Sequence, residues 1–176
     1  MIIKKSKILK INKIFPQTNF LDHRGSYLES YNKKKYKNFF NINFVEDNFS
    51  LNKKNVFKGI HGDYKTWKLI SCPHGKCESI IVNCNKKSKD FGKYERFILD
   101  SKNYFQLLIP PGFGNSFLVL SDFAVYHYKQ SSYYQGAKNQ FTYNYKDPFF
   151  NIKLSKKKVI ISLRDKFAKF INYEKN

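Results

Sequence analysis

Short apolar runs, rich in β-branched and aromatic residues and divided by turn formers, restrict this chain more than any other feature. Trp67 to Cys72, Glu78 to Asn83, Tyr94 to Leu99 and Tyr104 to Ile109 follow one another, with Pro73, Gly75, Asn85, Gly92 and Asn103 between them. Short strands at such regular spacing predict an all-β sandwich or barrel. A doubly wound α/β domain would need helical patterns between the strands, and the sequence has none there. The 13 Tyr and 18 Phe agree, because aromatic side chains suit a pleated, half-buried surface. No Ser/Gly/Pro-rich linker divides the 176 residues, so one domain over 1–176 is expected.

The flanks read less regularly. Strands are expected at Ile8 to Ile11, at Tyr27 to Tyr31 with Glu29 on it, at Ile42 to Phe49 and at Val56 to Ile60, and a helical turn at Lys34 to Phe40. Phe117 to Leu120 and Val125 to Lys129 follow as strands with a tight turn at Ser121-Asp122 between them, and Phe149 to Leu154 as a further short strand. Ser162 reads as an N-cap, and Leu163, Phe167 and Phe170 fall at helical spacing, which predicts a short terminal helix.

The formal charge of +20, from 33 basic and 13 acidic residues, makes a polyanion the first partner to test. Only Arg24, Arg96 and Arg164 are arginines, however, and planar recognition of base edges or phosphate relies on arginine. The lysines lie in short groups along the whole chain, as at Lys33 to Lys35 and Lys156 to Lys158, and not on one periodic face. A small anionic substrate fits this pattern better than nucleic acid. The N-terminal MIIKKSKILKI lacks the apolar core of a signal peptide and no run approaches ~18 apolar residues, so a soluble cytoplasmic protein with no membrane partner is expected.

Cys72, Cys77 and Cys84 do not form a paired-ligand motif, and Cys72-Pro73-His74-Gly75-Lys76-Cys77 reads as a turn between strands with a small thiol at each end. His61, His74 and His127 lack the close spacing of a metal-dependent β-barrel site. His61 stands out for another reason, since Gly59 and Gly62 bracket it and let other groups approach its backbone closely. By itself such a histidine is more often a turn residue or a partly buried hydrogen bonder than a catalyst. Asp47 and Asn48 sit in apolar surroundings and need partners.

Motifs in one order carry a wider likeness: DxRGxxxE at Asp22 to Glu29, DNFS at Asp47 to Ser50, GIH at Gly59 to His61, Lys68, QLLIPPGF at Gln106 to Phe113, VLSD at Val119 to Asp122, YKQSSYY at Tyr128 to Tyr134, DP at Asp147-Pro148 and LRD at Leu163 to Asp165. Together they resemble the nucleotide-sugar 3,5-epimerase family, typified by dTDP-4-dehydrorhamnose 3,5-epimerase. The resemblance spans nearly the whole chain. It implies a mostly β, cupin-type jelly-roll barrel with short peripheral helices, assembled as a homodimer. The implied activity is epimerisation of a nucleoside-diphosphate-linked 4-keto-6-deoxy sugar without metal or cofactor.

Such chemistry needs a base on one face of the sugar and an acid on the other, because the proton beside the ketone leaves to form an enolate and returns with inverted configuration. By resemblance His61 is the base, Asp165 orients it, Tyr128 is the acid and Lys68 stabilises charge at the C4 oxygen. Arg24 and Lys58 match donors to the diphosphate, Lys58 in place of the usual arginine. Glu29, Asn48, Gln106 and Asn115 match further substrate-binding positions, and Tyr133 or Tyr134 offers a face for the nucleobase.

Departures bear on the substrate. PPGFGNSF replaces the usual PPGFAHGF, so Asn115 stands where a second histidine is common; Asn83 and Asn139 replace common acidic residues. These changes, with GIHGD, resemble the branch acting on GDP-linked 4-keto-6-deoxy-heptoses in capsular polysaccharide synthesis, and Gly114 and Ser116 are expected to leave room for the larger ring. A dTDP-linked hexose, inversion at C3 alone, and a catalytically inactive sugar-binding cupin are the alternatives.

Overall fold

The structure, a computed structural model, describes residues 1–171, the side chains of Thr18 and Asn19 apart. Two antiparallel sheets face each other. The first has the order β1 (Ile2–Lys5), β2 (Asn12–Phe15), β10 (Gln106–Ile109), β7 (Lys68–His74), β12 (Phe123–Gln130), β5 (Glu46–Lys53). The second runs β13 (Phe141–Tyr143), β6 (Phe57–Gly62), β11 (Phe113–Val119), β8 (Lys76–Asn83), β9 (Tyr94–Asp100). A separate hairpin pairs β3 (Thr18–Asp22) with β4 (Gly25–Leu28). This is the expected mostly-β double-sheet jelly roll.

Three apolar clusters explain why the central strands are apolar on both faces. Between the sheets lie Ile70, Cys72, Cys77, Ile81, Leu99, Leu107, Ile109, Phe117 and Tyr126. Outside the second sheet, Phe57, Ile60, Ile80, Val82 and Leu118 are covered by Phe149, Phe150, Ile152, Leu154, Val159 and Ile161. Outside the first sheet, Ile14, Leu69 and Leu108 are covered by Tyr36, Phe40, Phe44 and Trp67. A strand buried on both sides loses the alternation of a one-sided sheet and reads as a continuous apolar run.

Several expected elements differ. Ile8 to Ile11 is a bend between β1 and β2 and not a strand, because the Glu95 carboxylate accepts the backbone N–H groups of Lys7, Ile8 and Leu9 at 2.9–3.1 Å and wraps the segment around itself. The strand expected to carry Glu29 ends at Leu28, and the one expected from Ile42 begins at Glu46. Phe149 to Leu154 is a covering segment started by a turn, with Asp147 accepting the Phe149 amide at 2.9 Å. The first helix, α1 (Lys33–Lys37), is capped by Asn32, and α2 (Leu163–Lys166) by Ser162, whose hydroxyl accepts from the Asp165 amide. α2 is one turn long, and Leu163 and Phe167 are exposed. Cys72 and Cys77 close the β7–β8 hairpin with their sulfurs 3.8 Å apart. Among the described residues no three His, Cys, Asp or Glu side chains gather as a metal site, and no helix is long and apolar enough to cross a membrane.

Burial would raise the Glu95 carboxyl, but the hydrogen bonds it accepts from Leu9, Ser6, Lys7 and Ile8 hold it below its ordinary value. A depressed folded-state value means that its contribution to stability is present above the unfolded-state value of about 4.3 and is lost as pH falls through the folded one. Glu95→Gln is therefore expected to cost about 1–3 kcal/mol at pH 7 and clearly less near pH 3, measured by urea unfolding at both pH values.

Candidate active site

A cavity of about 600 Å³ opens between the sheets where the apolar filling gives way to polar side chains. The first sheet lines it with Ser50, Lys68, Tyr128 and Gln130, the second with Lys58, His61, Asn115 and Phe117. The chain segment from Ile160 to Asp165 closes one side.

His61 and Lys58 share this cavity because of a slip in the ladder. Asn115 pairs with His61 and Phe117 with Lys58, so two residues of β11 span three of β6. In a regular strand residues three apart point to opposite faces; the extra residue in β6 brings both inside. Lys58 Nζ then donates to Ser50 Oγ of the facing sheet at 2.6 Å.

The C-terminal segment delivers Asp165. It is tied to the start of β6 by Phe57 N–H to Ile160 O at 2.9 Å and Ile160 N–H to Asn55 O at 2.8 Å. The Asp165 carboxylate accepts from His61 Nε2 at 2.6 Å and from Ser162 Oγ at 2.9 Å, with 3% of its side chain exposed. A Cβ on Gly59 would lie 2.5 Å from Asp165 Oδ1, so only glycine lets the carboxylate come this close. Burial would raise the Asp165 carboxyl; the bonds from His61, the Gly59 amide and Ser162 outweigh it and hold the group below its ordinary value. Nε2 carries the proton shared with Asp165, which leaves Nδ1 with a free lone pair when His61 is neutral.

Opposite stand Tyr128 and Lys68. Burial, with the charge of Glu46 adding to it, pushes the Tyr128 phenol up from its ordinary value. Burial lowers Lys68, with Asp63 opposing the shift and Arg164 adding to it. Lys58 is likewise lowered by burial, against the pull of Asp165. Lys58, Lys68 and Arg164 face one carboxylate, Asp165, among the lining residues, and this excess suits an anionic ligand.

His61, Lys68, Tyr128, Asp165, Lys58, Asn115 and Tyr134 all line this one cavity. Tyr134, Gln130 and Gln140 also line an adjoining cavity of about 720 Å³, where Tyr133 and Asn139 lie. The other matched positions are elsewhere. Arg24 forks onto Asp22 at the tip of the exposed β3–β4 hairpin. Glu29 pairs with Lys35 and Asn32 at the start of α1. Asn48 donates to Glu46, and Gln106 is fully buried, accepting from Tyr36 and donating to Ser30 O. Asn83, at the end of β8, binds Ser88 and the Asn85 amide of the loop that follows.

The expected room beside Asn115 is not there. A Cβ on Gly114 would meet Ile60 Cγ2 at 2.3 Å, and the Ser116 hydroxyl donates to Ile80 O at 2.8 Å, so both small residues serve packing away from the cavity. Sequence reasoning missed Arg164, whose guanidinium donates to Thr142 Oγ1 at 2.6 Å and Gln140 Oε1 at 3.3 Å on the cavity wall. Its signal was present, since it is one of three arginines and adjoins Asp165 in a one-turn helix.

The profile of the dTDP-4-dehydrorhamnose 3,5-epimerase family matches residues 8–172. The chain belongs to this family of epimerases. It is 40% identical over 120 residues to the dTDP-4-dehydrorhamnose 3,5-epimerase of Escherichia coli, a match covering 65% of each chain, and 36% identical over 139 residues to that of Salmonella typhimurium, covering 76% of this chain and 75% of the relative. Among solved structures, the dTDP-6-deoxy-D-glucose-3,5-epimerase of Legionella pneumophila, in complex with dTDP-4-keto-L-rhamnose, superposes with a TM-score of 0.88 at 32% identity, covering 96% of this chain and 91% of that one. The Bacillus anthracis dTDP-4-dehydrorhamnose 3,5-epimerase, with TDP and pyrophosphate bound, gives 0.88 at 28% identity, covering 96% and 98%.

The close approach at Gly59 makes a test of this candidate site. Gly59→Ala is expected to push Asp165 off His61 and lower turnover by about 10²-fold, as ångström-scale misplacement does, with the far-UV circular dichroism unchanged.

Proposed function

We propose that this epimerase inverts C3 and C5 of a dTDP-linked 4-keto-6-deoxy sugar, with His61 as base and Tyr128 as acid. The observation that carries this reading is the opposition of the two sheets: His61 with its Asp165 stands on one, Tyr128 and Lys68 on the other, across a single cavity. A sugar ring lying between them meets a base on one face and an acid on the other, which inversion requires. His61 Nδ1 removes the proton beside the C4 ketone, and Asp165 supports the imidazolium that forms. Lys68, desolvated and positive, stabilises the enolate oxygen, since charges interact more strongly where water is excluded. Tyr128 keeps its proton at neutral pH and returns it from the other side. The diphosphate is assigned to Lys58 and Arg164, and the base to the adjoining cavity, with Tyr134 at the junction as the stacking face and Tyr133 beyond it.

The ligands of the Legionella and Bacillus proteins support the dTDP handle. A GDP-linked heptose is the second reading and rests on Asn115 in place of histidine. In deuterated water, followed by proton NMR, the parent is expected to exchange the C3 and C5 protons of dTDP-4-keto-6-deoxy-glucose. His61→Asn should abolish exchange at both carbons, and Tyr128→Phe should impair completed inversion more than exchange. Turnover of His61→Asn near the parent rate would sink the mechanism, and faster inversion of a GDP-4-keto-6-deoxy-heptose would reverse the choice of substrate.

The working form is proposed to be a homodimer. Phe20, Leu21 and Tyr27 on the β3–β4 hairpin are 70%, 80% and 63% exposed, and Phe49 and Leu51 on edge strand β5 are exposed too, an apolar surface of the kind a second copy covers. If Arg24 binds substrate, it does so in the neighbouring copy's cavity, since it is not at its own. Arg24→Ala and His61→Asn, each inactive, are then expected to recover about a quarter of parent activity when unfolded and refolded together, as random pairing leaves half of the dimers mixed with one intact site each. Parent-like activity of Arg24→Ala alone would place Arg24 outside the site, and two inactive variants that do not recover on mixing would rule out its action in the neighbouring copy.

A further inference from the structure

Asn115 is held by a residue that no motif singled out. Its side chain lies beside His61, to which it is paired across β6 and β11, and it lines the cavity. An amide offers one acceptor oxygen and two N–H donors. Here one lone pair of the oxygen is occupied and the oxygen points at Tyr126: Tyr126 Oη donates to Asn115 Oδ1 at 2.8 Å. Tyr126 is fully buried, its ring stacked on Phe117 at 3.9 Å and 9°, and its phenol lies 3.1 Å from Ser79 Oγ. The three groups can be wired in two directions. If Ser79 donates to Tyr126 and Tyr126 to Asn115, every hydroxyl proton in the chain has an acceptor. In the reverse direction Asn115 would donate to Tyr126 and Tyr126 to Ser79, and the Ser79 proton would then need a further acceptor, which Ser79 Oγ does not meet among the described residues. A buried hydroxyl left without an acceptor is unfavourable, so the first direction holds.

We propose that Tyr126, backed by Ser79, is a positioning residue that fixes the Asn115 amide with its N–H groups toward the sugar, making Asn115 a donor that selects an acceptor oxygen on the substrate ring. This rests on the proposed function of the cavity. A histidine at this place can accept or donate and can change charge; the held amide, its oxygen turned to Tyr126, presents its N–H groups and stays neutral. A site built to hydrogen-bond a substrate oxygen rejects analogues without it far more strongly than an apolar wall does. Tyr126 thereby sets specificity without touching substrate.

Two measurements test this. Tyr126→Phe keeps the ring and its stacking while removing the bond, so KM for the dTDP-sugar is expected to rise about 5- to 10-fold with dTDP affinity unchanged. In an Asn115→Ala background the same substitution should change KM by less than about 2-fold, because the group it positions is gone. Ser79→Ala should shift KM in the same direction by less. Equal effects of Tyr126→Phe in both backgrounds would mean a packing role and overturn the proposal. The second measurement needs no turnover: in ¹⁵N-asparagine-labelled protein, the Asn115 side-chain amide signals, identified by their loss in Asn115→Ala, are expected to exchange rapidly with solvent in the free protein. One slowly exchanging Asn115 amide proton would show the amide donating to Tyr126 and overturn the assignment. A parent protein inactive on the dTDP-sugar would count against the proposed function, and amide exchange would then decide the relay alone.

Discussion

The Asp165 carboxylate is the group on which the site depends. It is a charge almost wholly out of water, and such a charge is tolerated only when several donors surround it. His61, Ser162 and the Gly59 amide supply them, from β6 and from the segment that closes the cavity. Each contact imposes a condition on the chain: a glycine where the carboxylate meets β6, a serine cap three residues before Asp165, and a tie from Ile160 to the strand's start. His61 and Asp165 are 104 residues apart, so their pairing exists only once both sheets and the C-terminal segment are in place. Orientation of His61 is in this sense a tertiary property.

The sheets do more than carry these groups. Covering both outer faces leaves the space between the sheets as the one in which polar side chains can be gathered without exposing the core. Along β12 the inward residues run Ala124, Tyr126, Tyr128, Gln130, from packed interior to cavity wall. The facing β11 changes in the same direction, from Val119 and Phe117 to Asn115. Because the strands of each sheet are fixed by backbone ladders, the relative placement of His61 and Tyr128 is set by the sheets and not by loops, as the proposed reaction needs.

Much of this was legible in the sequence. The regular run of short strands from Trp67 to Ile109 gave the sandwich, and the ordered motifs gave His61, Lys68, Tyr128 and Asp165, which the structure gathers in one cavity. What escaped has physical causes. A carboxylate that binds three backbone amides turns a strand-like Ile8 to Ile11 into a bend, and nothing near that segment announces a partner 86 residues away. The extra residue in β6 leaves no mark in composition, yet it decides that Lys58 faces inward. Gly114 and Ser116 read as room beside the sugar because smallness alone does not say which side of the strand is crowded.

The cations of the cavity show why net charge was a poor guide. The chain has 33 basic residues, and among the described ones only Lys58, Lys68 and Arg164 line the cavity. Surface lysines are screened within about 10 Å at ordinary salt and act weakly on anything beyond. Buried ones behave differently: removal of water lowers Lys58 and Lys68, and the same removal strengthens their attraction for a negative charge placed beside them. Arg164 is fixed by Thr142 and Gln140, so it offers its planar guanidinium in a set geometry where Lys58 lacks the fork. In the proposed reaction Lys68 has no need of a fork, because an enolate oxygen is a single atom whose charge appears only during that reaction. A compact ammonium already stripped of water meets that charge without first having to shed a hydration shell.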